Sequence, residues 1–136
     1  MEAVAPGMRP NLRTTILALA CLPPLASACS QPAEGKLDED LIRRVVEVHL
    51  PETRACYEVL LASDAGASGV LAVDFTIDES GEVRDPVVFG EDLTDATLHD
   101  CVRDRILAWK FPRPEGGQVT VTYPFLFMPN DPRFPS

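Results

Sequence analysis

The run GVLAVDFTI, Gly69 to Ile77, constrains the fold more than any other stretch of the chain. Leu71, Val73, Phe75 and Ile77 alternate with Val70, Ala72, Asp74 and Thr76. A period of two places successive side chains on opposite faces, so this is a strand with one strongly apolar face. The turn Asp78-Glu79-Ser80-Gly81 and a second apolar run, Glu82 to Phe89, follow at once. A short loop ending in Gly between two such runs predicts a β-hairpin. Pro86 lies in the second run and predicts an edge position or an irregularity there, because proline donates nothing to a ladder.

Helical spacing flanks the hairpin. Leu41, Ile42, Val45, Val46 and His49, then Cys56, Tyr57, Leu60 and Leu61, place a helix over Leu37 to Leu61 with Asp38 as its N-cap. Pro51 predicts a kink or a break into two helices. Leu98, Cys101, Val102, Ile106 and Trp109 mark a second helix, capped by Thr94 or Asp95 and running to about Lys110. After a turn at Glu115-Gly116-Gly117, the alternation returns in Val119, Val121, Tyr123, Phe125 and Phe127, which share one face of a closing strand. Pro124 in that strand again suits an edge. The order helix-strand-strand-helix-strand predicts an α+β domain: a small three-stranded antiparallel sheet with helices on one face.

The chemistry-bearing residues form no set. Of 136 residues two are His and four are Cys, and no two Cys stand in a CxxC pair, so neither a metal centre nor a dithiol motif is supported. No nucleophile, base and orienting acid are placed together, so we expect no enzyme, no catalytic residue, no cofactor and no small-molecule substrate. Asp78-Glu79-Ser80-Gly81 lacks the spacing and distal Glu of a calcium loop and reads as a turn. His49 and His99 are lone histidines; His49 packs or caps near the helix break and His99 faces outward. Trp109 and Phe111 read as core. A formal net charge of −9 repels phosphate backbones and excludes nucleic acid as a natural partner.

The first 36 residues read as address and tether. Met8, with Arg9 and Arg13 behind it, is the better start of an export signal than Met1. Residues 14–28 are apolar but interrupted by Pro23-Pro24, too short and broken for a spanning helix. The segment ends Leu25-Ala26-Ser27-Ala28-Cys29, and small residues before a cysteine resemble the lipobox of bacterial lipoproteins. The resemblance implies a signal peptide over 1–28, lipidation at Cys29 and a membrane held through that anchor. Ala26 stands where the family carries Leu. A plain secretory signal cut after Ala28 is the competing reading. Both place the domain outside the cytoplasm, and the lipobox implies the cell envelope, with the lipid in the outer membrane and the domain facing the periplasm. Residues 29–36 read as lipidated cysteine and short tether, 37–128 as the domain, and 129–136 as a loose tail with three prolines.

The domain itself resembles a known family. The segment G-V-L-A-V-D-F-T-I-D-E-S-G-E-V, a helix leading into W-K-F-P at Trp109 to Pro112, and the strand V-T-V-T-Y-P-F are similar to the TonB C-terminal domain. The motif Cys56-Tyr57-Glu58 on the first helix and Cys101 on the second bring it nearer the variant called the AgmX/PglI C-terminal domain. The resemblance spans about Leu37 to Phe127. It implies a non-enzymatic domain that binds an envelope protein partner, with Val119 to Phe127 as the edge strand that pairs with it. The N-terminal membrane helix and Pro-rich spacer of TonB proteins have no counterpart in this sequence, so energy transduction is not implied. Cys56 and Cys101 fall on the apolar faces of two helices that cover the same sheet, which in an oxidising compartment predicts a disulfide; two buried free thiols are the alternative. A structural or assembly subunit, using helix faces or acidic surface, is the alternative function.

Overall fold

The computed structural model describes residues 34–135. Cys29, the export signal and most of the tether lie outside the described residues.

Five elements follow in the expected order: α1 (Glu39–Ser63), β1 (Gly69–Ile77), β2 (Val83–Phe89), α2 (Ala96–Leu107) and β3 (Val119–Phe127). The three strands make one antiparallel sheet in the order β2-β1-β3, so the alternating run that opens the sheet is its centre. The register decides which side chains share a face. Leu71 lies opposite Phe125, Val73 opposite both Tyr123 and Val88, and Ile77 opposite both Val119 and Val83. These residues join Val46 and Tyr57 of α1, Leu98, Val102 and Ile106 of α2, and Trp109 in one core. The fold is α+β, as the periodicity predicts.

The caps are those the sequence supplies. Asp38 accepts from the Asp40 amide and Asp95 from the Leu98 amide, each satisfying a donor the helix start leaves unpaired. The hairpin turn is built on Asp78, whose Oδ1 accepts from the Ser80 and Glu82 amides and the Ser80 hydroxyl. Those bonds, the Ser80 hydroxyl foremost, with Arg84 on the other oxygen, hold its carboxyl far below the usual carboxylate range. Gly81 closes the turn at φ 89°, and its carbonyl accepts from the Phe111 amide.

Pro51 does not break α1. The helix runs unbroken through it for 25 residues, so of the expected kink or break the break does not occur. Pro51 and Glu47, whose carbonyl loses its helical donor, both lie on the exposed side, which leaves the freed oxygen open to solvent. Pro86 behaves as its position in an edge strand predicts. Between the pairs Asp74–Val87 and Thr76–Arg84, two β2 residues, Asp85 and Pro86, oppose Phe75 alone. This is a β-bulge, and Asp85 takes the left-handed conformation (φ 51°) that Asp tolerates better than most residues.

A disulfide joins Cys56 of α1 to Cys101 of α2 across 5.8 Å between Cα atoms. The two helices are thus fastened to each other above the sheet. His49 stacks on Trp109 at 4.8 Å and donates through Nδ1 to Glu52, which also accepts from the Trp109 indole. The His49 bond is the largest influence lowering the Glu52 pKa. His99 is half-buried and bonds the Leu93 carbonyl, rather than facing outward.

The tail is not loose. Arg54, 6% exposed, donates to the carbonyls of Met128 and Pro129 and lies over the rings of Tyr57 and Phe134. Asp131 is buried and accepts from the Arg133 guanidinium and amide. Residues 34–36 are likewise engaged: Lys36 and Glu115 exchange backbone bonds, and the Gly35 amide donates to the Gln118 carbonyl.

Candidate functional site: the outer edge of the sheet

Among the described residues β3 pairs with a strand on one side only, and the backbone groups on its other side are the candidate site. Two bonds reveal which residues point outward. At the start of the strand the Gln118 carbonyl takes the Gly35 amide, and near its end the Leu126 carbonyl takes the Arg133 guanidinium. Both acceptors are even-numbered. Because outward and inward groups alternate along an antiparallel strand, Thr120, Thr122 and Pro124 also turn their backbone groups to the open edge. Pro124 therefore sits where a missing N–H costs no ladder bond. Between the two covered ends, the edge presents the amides and carbonyls of Thr120 and Thr122 and the carbonyl of Pro124.

The side chains expected to mark this site belong instead to the core side of the strand. Val121, Phe125 and Phe127 are buried, and Val119 and Tyr123 are half-buried. They fix β3 in place; what the edge offers a partner is the backbone of the alternate residues. Reading the outward parity needs the contacts of Gly35 and Arg133, which no local pattern supplies.

A groove runs beside this edge, between β3 and the flank of α1. Its larger cavity, about 430 Å³, is lined by Leu37, Glu39, Ile42 and Arg43 on the helix side and by Val119 to Tyr123 on the strand side. A second, about 200 Å³, continues past Tyr123 to Glu47, Leu50, Arg54 and Phe134. The helix residues recur every three or four positions, so one stripe of α1 forms the wall. The far end is closed by the tail. There Arg133 pulls the Asp131 pKa down to about 2, chiefly through its side-chain hydrogen bonds, and is itself raised by the same contact.

The opposite, open face of the sheet carries a different feature. Val70 lies opposite Leu126, and Ala72 lies between Phe89 and Pro124. Val70, Val87, Phe89 and Leu126 are 48%, 58%, 45% and 48% exposed. They make an apolar patch on the face that neither α1 nor α2 covers.

Among the described residues no cluster of His, Cys, Asp and Glu is arranged to hold a metal ion, and no helix is long and apolar enough to cross a membrane. His49 and Glu52 form an imidazole–carboxylate pair, but its other contacts are the Trp109 ring and indole, which are not nucleophiles. Cys56 and Cys101 serve as a staple, with no thiol left free by either. No known family, curated protein or solved structure matches this chain.

Proposed function

We propose that this domain is a non-enzymatic binding module of the cell envelope that captures an extended segment of a partner protein along the outer edge of β3. The observation that carries this reading is the stretch of backbone at Thr120 and Thr122, unpaired among the described residues and facing a groove walled by α1. Strand addition uses main-chain hydrogen bonds for affinity and side-chain pockets for selectivity, and this edge has both. The likeness of the C-Y-E, W-K-F-P and V-T-V-T-Y-P-F motifs to the TonB C-terminal domain points the same way. The lipobox-like end at Cys29 supports an anchor that holds the module at a membrane outside the cytoplasm.

A second reading, an assembly subunit, is favoured by the patch of Val70, Val87, Phe89 and Leu126 on the open sheet face. Site-specific photo-crosslinking in native envelopes separates the two. A crosslinking residue at Thr122 and one at Val87 are compared. Adducts from Thr122 alone support strand capture, and adducts from Val87 alone overturn it in favour of the subunit. No adduct from either position sinks both.

A further inference from the structure

The groove beside β3 has a charge pattern of its own. Three arginines reach it, and each is engaged within the domain. Arg43 pairs with Asp40; Arg54 is spent on the Met128 and Pro129 carbonyls and Glu58; Arg133 is held by Asp131 and the Leu126 carbonyl. Two carboxylates line the same wall, Glu39 beside the larger cavity and Glu47 beside the smaller. Neither has an ion-pair partner among the described residues. The unbalanced charge of the groove is therefore negative, with Ile42 between the two carboxylates on the helix stripe and Leu37 and Val121 lining the larger cavity.

The edge is also bounded. Gly35 occupies the Gln118 carbonyl and Arg133 the Leu126 carbonyl, so the chain's own segments cover both ends. The open interval from Thr120 to Pro124 spans roughly 14 Å at about 3.4 Å per residue. In a strand laid along it, the residue opposite Val121 turns its side chain into the groove, toward Leu37 and Ile42, while its neighbours bond Thr120 and Thr122.

We infer that the groove selects a short extended segment, about five residues long, whose central side chain is apolar and whose flanks are basic. This rests on the edge-binding reading and adds to it the chemistry of the partner. Apolar burial opposite Val121 supplies contact, and Lys or Arg on either side meets Glu39 and Glu47.

The test uses isotope-labelled protein and three synthetic peptides of about seven residues. The first alternates Thr and Ile and carries Lys at both ends. The second carries Glu at both ends. The third keeps Lys but has Pro in place of the alternate Thr residues, which removes the pairing amides. Binding is followed by NMR at the amides of Thr120 and Thr122. The expected result is that the first peptide moves both amides and binds about tenfold more tightly than the second. In Glu39→Gln/Glu47→Gln protein that ratio is expected to fall to near one, with the Thr120 and Thr122 shifts retained. Equal affinity for the first two peptides, or an unchanged ratio in the double variant, overturns the charge inference and leaves strand capture standing. If the third peptide binds as well as the first, or if none moves the two amides, strand capture itself fails.

Discussion

Reducing the Cys56–Cys101 disulfide is expected to lower the domain's stability by about 4 kcal/mol. The bridge spans 45 residues, enclosing the last third of α1, the whole β1–β2 hairpin and the first half of α2. In the chain-entropy account, closing a loop of that length removes roughly 13 cal/mol/K from the unfolded ensemble, about 4 kcal/mol at room temperature. The assay is urea denaturation followed by far-ultraviolet circular dichroism, on oxidised protein, reduced protein and the Cys56→Ala/Cys101→Ala pair. The two uncrosslinked forms should unfold earlier, and their m-values should rise because the freed unfolded chain exposes more surface. Reduced protein isolates the crosslink. The alanine pair adds the packing of two thiols, of which Cys56 is buried, so it should be lower still, by about 1 kcal/mol. For a domain of this size the loss corresponds to a fall in Tm of roughly 15–30 °C. A midpoint that moves by less than about 1 kcal/mol on reduction would refute the reasoning. So would a large fall with no change in m, which would locate the effect in the folded state.

Three further outcomes test the packing. Arg54→Met removes the donor to two carbonyls, and should cost about 2–4 kcal/mol and make residues 129–135 sensitive to limited proteolysis; a tail that stays protected would contradict the clamp. Stability should decline on acidification: Asp131 is lowered from 3.8 to about 2 in the folded state, so the stabilisation it supplies is complete above about pH 4 and lost as pH falls towards 2. Asp78 and Glu52 are shifted in the same direction and add to that acid limb. Asp131→Asn should flatten the profile in urea titrations between pH 4 and 2, and an unchanged slope would count against it. Gly81→Ala places a methyl 2.2 Å from the Phe111 carbonyl at a φ of 89°, and should destabilise by about 2 kcal/mol or more in the same measurement.

What the sequence discloses about this fold follows from burial on one face. β1 alternates cleanly because it is central and its core side admits nothing polar, so its place in the sheet is readable from nine residues. Asp38, Asp95 and Gly81 are local devices and are readable for the same reason. Pro51 misleads because a proline's cost depends on where the orphaned carbonyl points, and the exposed side of α1 is a tertiary fact. Arg54 gives no local signal at all, because its partners lie 74 and 75 residues away at the end of the chain. The candidate site sits between these cases. That β3 is an edge follows from order and from Pro124, whereas the outward parity of Thr120 and Thr122 and the negative wall of α1 depend on register and on contacts between distant segments.

The bulge at Asp85 and Pro86 bears on stoichiometry. A sheet with two open margins can pass strands from molecule to molecule without end, which is how fibres grow. Here the second margin is spoiled twice. The bulge interrupts β2 midway, and Lys110 and Phe111 lie against its beginning, where Glu82 and Gly81 are already paired. Among the described strands only β3 keeps an open edge. Under the proposed edge binding the domain would be monovalent along its sheet: each copy would take up one guest and stop, with no propagation.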